Sequence, residues 1–234
     1  MSLVVDSYRF AAGGGTGPTS VDPLAWWDFS NGSSITIETG ISQADDLTGN
    51  GRHLVQATGS QQPAHATDAS IGGGVLTVAK FDGSDDTLAT SANLGDAPAT
   101  WFVVTVKPDS SGTDALARMN GHATYLNDGS LATWTGSSQG DWTASSGDWL
   151  DDHVHAFVRD ASQASYYIDG TQKASATSQS SDISEPFRLG ADGSGGGSAG
   201  NWWVGECLVY SGALTGTDRT DVETYLADKW GITL

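Results

Sequence analysis

From Val21 onward the chain is a succession of short segments in which apolar and polar residues alternate, each cut off by glycine, aspartate, asparagine or serine. A period of two lines one face of a β-strand, whereas a helix needs apolar residues three and four positions apart. Ten segments carry the strand period: residues 24–29, 35–39, 53–57, 75–81, 100–107, 115–119, 154–159, 165–168, 187–191 and 204–210. Asp169-Gly170, directly after Tyr166-Tyr167-Ile168, supplies the two positive-φ residues that a type I′ hairpin turn demands. Asn127-Asp128-Gly129 marks a looser hairpin over residues 124–131. One helix is expected, near the end of the sequence. Thr215 is placed as its N-cap, Val222, Tyr225, Leu226 and Trp230 fall on one stripe, and Gly231 lets the chain leave it. Ten strands with one closing helix imply an all-β, two-sheet sandwich.

Composition agrees with this reading and narrows the partners. The 31 glycines among 234 residues follow no collagen-like period, so they mark turns. Of the 28 acidic residues only Glu38, Glu185, Glu206 and Glu223 are glutamates; the rest are aspartates, which favour turns and caps over helical surfaces. Nine tryptophans and a 38% hydrophobic content give enough apolar mass for a core. Cys207 is the single cysteine, so no intrachain disulfide forms. A net charge of −18 repels phosphate backbones and argues against nucleic acid as a partner. No apolar run reaches the roughly 18 residues that span a bilayer, so no membrane insertion is expected.

Residues 1–20 differ from the remainder, 21–234, which is expected to be the sandwich. Leu3, Val4, Val5, Tyr8 and Phe10 belong to a strand-like segment, and Gly13-Gly14-Gly15 tethers it. An apolar strand on a glycine tether stays disordered unless something pairs with it. The segment therefore reads as an attachment arm that docks on a neighbouring protein by strand addition or groove binding. The first residues lack the basic start and long apolar run of a secretory leader.

Three stretches resemble the concanavalin A-like lectin/glucanase superfamily in its laminin-G-like, jelly-roll form. The first runs from Trp27-Asp28-Phe29 through Gly49-Asn50-Gly51-Arg52-His53 to Phe81-Asp82-Gly83-Ser84-Asp85-Asp86. The second pairs His155-Ala156-Phe157-Val158-Arg159-Asp160 with Tyr167-Ile168-Asp169-Gly170. The third is Gly205-Glu206-Cys207-Leu208-Val209-Tyr210 with the closing helix that ends in Lys229-Trp230-Gly231. The resemblance implies a concanavalin-like sandwich. Its association with short arms like that of residues 1–20 implies a bacteriophage virion protein in a capsid, fibre or tail, made in the host cytoplasm and displayed on the particle surface.

Catalytic members of that superfamily carry a Glu-x-Asp-x-(x)-Glu strand whose outer glutamates act as nucleophile and acid. None of the four glutamates has an aspartate two residues later, and no two lie within five residues. No Gly-x-Ser-x-Gly elbow sits between a strand and a helix, and Cys207 lies in an apolar segment. The expectation is a non-enzymatic protein.

For ligands, His153 and His155 share a strand face and could share a metal. A structural calcium, which the resemblance implies, has its candidates in the oxygen-rich pairs Asp45-Asp46, Asp85-Asp86 and Asn127-Asp128. Sugar rings stack on aromatic faces while nearby carboxylates and amides accept their hydroxyls. Trp134, Trp142 and Trp149 lie in a Gly/Ser/Asp-rich stretch read as loop, and with Asn127 and Asp128 they form the candidate glycan site. Trp27, Trp101 and Trp203 are expected to be buried, and Trp26 and Trp202 to point outward. The expected function is a virion surface protein that binds cell-surface glycans and is held by its arm to other virion proteins. The alternatives are a purely structural cement protein, whose aromatics face neighbouring subunits, and a glycoside hydrolase with an atypical acid pair.

Overall fold

The computed structural model describes residues 21–67, 76–95, 99–106, 113–119, 122–127, 130–135, 138–142, 151–160, 162–177, 185–191 and 198–234. The arm residues Leu3, Val4, Val5, Tyr8 and Phe10, together with Asp128 and Trp149, lie outside them.

Two antiparallel sheets and one helix make up the described chain. The first sheet contains β1 (Ala25–Asp28), β5 (Ala64–Thr67), β6 (Thr77–Lys80), β8 (Ala99–Val106), β13 (His153–Arg159), β14 (Gln163–Ile168), β15 (Thr171–Thr177) and β17 (Trp203–Tyr210). Its order is β15-β14-β13-β8-β17-β6-β5, and β1 lies beside the second half of β17, next to β6. The second sheet runs β12-β11-β10-β9-β16-β7-β4-β3-β2. Its members are β2 (Ile35–Ile37), β3 (Ile41–Ala44), β4 (Leu54–Val55), β7 (Leu88–Asn93), β9 (Thr113–Met119), β10 (His122–Asn127), β11 (Ser130–Thr135), β12 (Ser138–Trp142) and β16 (Pro186–Leu189).

Alternation decides which residues meet between the sheets. Trp27 stacks on Phe187 with ring centroids 5.4 Å apart, and Trp101 stacks on Phe157 at 4.1 Å. Cys207, Val209, Leu54, Leu88 and Leu189 fill the same layer. The opposite face of the first sheet also carries apolar residues, among them Phe102, Val104, Val154, Ala156 and Leu208, and it is covered. The cover is α1 (Gly216–Trp230), which lays Val222, Tyr225, Leu226 and Trp230 onto that face. Thr215 is its N-cap in extended conformation but makes no side-chain cap bond, and Gly231, at φ 70°, ends it in the left-handed region. Trp230 is fully buried, and Gly205 makes room for it: a β-carbon there would stand 2.6 Å from the indole. The molecule therefore has three layers, helix, eight-stranded sheet and nine-stranded sheet.

Asp169 and Gly170 adopt φ values of 47° and 72°, the pair that the hairpin expectation required. Three expectations change. Trp202 does not point outward but belongs to the layer between the sheets, whereas Trp26 points away from that layer and is covered by α1. Trp203 is only half-buried and lies under the Lys80 ammonium, 4.3 Å from its ring centroid. The stretch containing Trp134 and Trp142 is not a loop; those residues lie in β11 and β12, which extend the second sheet. Glycine, serine and aspartate hid the strand because pairing to a neighbour, rather than propensity, holds it there.

Candidate functional site

The buried polar groups lie on the helix side. Glu206, in β17, is fully buried and its carboxylate accepts four donors: Trp26 Nε1 at 2.6 Å, Tyr225 Oη at 3.0 Å, Trp230 Nε1 at 2.8 Å and Lys229 Nζ at 2.7 Å. Lys229 also reaches Asp28 at 2.7 Å. Burial pushes the Glu206 carboxyl upward, and the Lys229 ammonium opposes that shift. With every lone pair facing a donor from α1 or β1, Glu206 anchors the helix to the sheet.

A second network closes the β13–β14 end. His153 Nδ1 meets Asp169 Oδ2 at 2.6 Å, and His155 Nδ1 meets the Tyr166 hydroxyl at 2.5 Å. Burial, reinforced by His153, lowers the His155 pKa to about 3. Each Nδ1 thus has a protein partner, and the two rings are edge to face with centroids 5.9 Å apart. The arrangement is a packed polar seam at the end of β13 and β14.

The calcium candidates part company. Asp46 is buried and accepts from the backbone of Trp26, Thr48 and Arg52, so it shapes its own loop. Asp45 accepts from Gln43 and faces His53 at 3.2 Å. Asp85 and Asp86 are joined by Asp82, which the sequence reading passed over, and one ligand oxygen from each lies within 4.8 Å of the others. Burial and the Asp82 charge raise the Asp86 pKa to about 6. Asn127 ends β10, several strands from either aspartate group.

The open region is the outer face of the nine-stranded sheet. Residues opposite one another in antiparallel strands share a face. The register strings one row across the sheet: Thr36, Gln43, Val55, Ala89, Arg188, Arg118, Ala123, Trp134 and Gln139. Its neighbours Ala44, Leu54, Leu88, Leu189 and Ala117 belong to the core, so Gln43, Val55, Ala89, Arg188 and Arg118 face away from it. Val55 is 37% exposed, and among the described residues no helix or strand covers this face. Trp134 is in the row, whereas Trp142 pairs with Leu131, at a position of opposite parity along β11. The row also brings in Arg118 and Arg188. Neither stood out in the sequence, because strand register across 70 residues is not written in local pattern.

No protein-family model matches the chain, and no curated protein matches it. Solved structures do. An arabinofuranosidase complexed with arabinofuranosyl-α-1,2-xylobiose aligns with a TM-score of 0.62 at 14% identity, over 81% of this chain and 51% of that one. Domain 4 of AbnA, a GH43 extracellular arabinanase from Geobacillus stearothermophilus, in complex with arabinotriose, aligns at 0.58 and 19% identity, over 89% of this chain and 98% of that domain. Trypanosoma rangeli sialidase in complex with sialic acid aligns at 0.61 and 14%, over 87% of this chain and 32% of that one. The chain thus spans about half of the arabinofuranosidase and a third of the sialidase.

These structures correct two expectations. The concanavalin-type virion lineage read from the motifs gives way to sandwiches found in arabinofuranosidase, arabinanase and sialidase chains. The motifs misled because they mark hairpins and turns that any sandwich of this shape needs. The expectation of a protein apart from enzymes is overturned too, since all three neighbours are chains or domains of glycan-acting enzymes. What the comparisons establish for this chain is its fold, a β-sandwich shared with modules of such enzymes.

Proposed function

We propose that this chain is a glycan-binding β-sandwich that presents the outer face of its nine-stranded sheet to an oligosaccharide. The observation that carries the reading is the asymmetry of the three layers. The helix seals the first sheet, and the second is left with an open row containing amide, guanidinium and tryptophan residues. Those are the residue types that hold hydroxyls and stack against sugar rings. The domain in complex with arabinotriose, which this chain matches over nearly its whole length, supports the same ligand class.

Calorimetric titration with arabinotriose, longer arabinan fragments and sialylated oligosaccharides tests it, with release of reducing ends followed in the same samples. Saturable binding is expected, and Trp134→Ala is expected to weaken it about tenfold, the worth of one aromatic stacking contact. If no saccharide titrates, or if the variant binds as tightly as the parent, the reading fails.

The proposal keeps one structural calcium and assigns it to Asp82, Asp85 and Asp86, whose oxygens are the hard donors that this ion prefers. A melting temperature raised by calcium but not by magnesium, and no longer raised in Asp85→Asn, supports the assignment. An unchanged melt sinks it.

A further inference from the structure

Arg118 and Arg188 stand directly opposite each other on β9 and β16, in the middle of the open row. Side chains so placed have β-carbons about 5 Å apart, and like charges in that position destabilise a sheet. Only ten residues of this chain are basic, against 28 acidic, so two adjacent arginines on its open face need an explanation. Glu185 supplies half of one. Its Oε2 accepts from Arg118 Nε and from Nη2, both at 2.8 Å. Arg188 faces the same surface, is partly exposed, and has no carboxylate within ion-pair distance among the described residues. Glu185 therefore pairs with one of the two guanidinium groups, and among the described residues the other has no carboxylate to pair with.

We infer that the partner anion is the carboxylate of a hexuronic acid residue in a polysaccharide chain, bound by Arg188 on the outer face of the nine-stranded sheet. This rests on the glycan-binding reading and names the class of sugar. A guanidinium donates a parallel pair of N–H groups that fits a carboxylate in two-point fashion. Ala89 on one side is small and leaves Arg188 room to lie flat, and Val55 and Gln43 continue the row. Strands spaced about 4.8 Å apart make nine strands an elongated surface, and among the described residues no helix or strand walls it in. Such a surface suits the interior of a chain bearing a carboxylate on each sugar better than a single terminal acidic sugar, which needs an enclosing pocket. The net charge of −18 acts against polyanions at long range, so binding should strengthen as moderate salt screens the acidic surface and weaken again only when the ion pair itself is screened.

The test uses the full chain and a matched pair of probes, an oligogalacturonate and its fully methyl-esterified form, which share a backbone and differ in charge. The free acid is expected to bind at least tenfold more tightly than the ester. Arg188→Gln should remove that preference with a melting temperature no lower than the parent's, since among the described residues Arg188 has no ion-pair partner, and Arg188→Lys should keep part of it. Glu185→Gln is the complementary variant. It removes the Glu185 charge from the face and is expected to tighten acid binding several-fold, which a merely structural role for Glu185 would not do. Equal affinity for acid and ester overturns the inference, as does an Arg188→Gln protein that keeps the preference, or a stronger response to sialyllactose than to oligogalacturonate. If arabinotriose binds and Arg188→Gln leaves that binding intact while no acid preference exists, the inference fails and the glycan-binding reading survives. If no saccharide of any kind binds, both fail.

Discussion

Single residues in this fold are held by partners that the chain supplies from far away. Glu206 draws donors from Trp26, 180 positions earlier, and from Tyr225, Lys229 and Trp230 on the helix. His155 shows the same principle with a consequence for pH. Burial, aided by His153, holds it neutral down to about 3, against an ordinary value of 6.5. The unfolded chain takes up that proton sooner than the folded one. The stability contributed by neutral His155 is therefore complete above about 6.5 and is lost as pH falls toward 3. His155→Gln offers a hydrogen-bonding group to Tyr166 without a titrating ring, so its melting temperature should fall less steeply across that window than the parent's. Parallel curves for the two proteins would show that His155 does not drive the acid response.

Among the elements, α1 depends most visibly on one contact. Trp230 is fully buried on the stripe that meets the first sheet, and its removal leaves a cavity costing about 3–5 kcal/mol. Trp230→Ala is expected to lower stability by that amount in chemical denaturation. Gly205→Ala should also destabilise, because the added methyl would enter the indole. A Trp230→Ala protein that unfolds like the parent would mean that the helix does not need this anchor. The stripe was legible because Val222, Tyr225, Leu226 and Trp230 recur at helical spacing, and the Asp169-Gly170 turn because only certain residues accept its φ values. The strands β3, β5, β7 and β12 were not legible. Ile41–Ala44 and Ala64–Thr67 are short and weakly apolar, and Ser138–Trp142 is held by β11 alone. The candidate site was less legible still. Trp134 carried a local signal, but Arg118 and Arg188 become neighbours only through register between strands distant in sequence.

At the scale of the molecule, the chain has one apolar sheet with both faces covered and a second with one face that no described helix or strand covers. Covering the first sheet twice makes α1 and the second sheet structural partners of the same eight strands. On the proposed reading, it also leaves recognition to the row that crosses from Thr36 to Gln139. This division of labour is the central claim, and amide shift mapping on the isotope-labelled protein during titration with an oligosaccharide tests it most directly. The account expects perturbations concentrated along β4, β7, β16, β9 and β11, at Val55, Ala89, Arg188, Arg118 and Trp134, with α1 silent. Perturbations centred on α1 or on the β13–β14 turn, with that row unmoved, would contradict it.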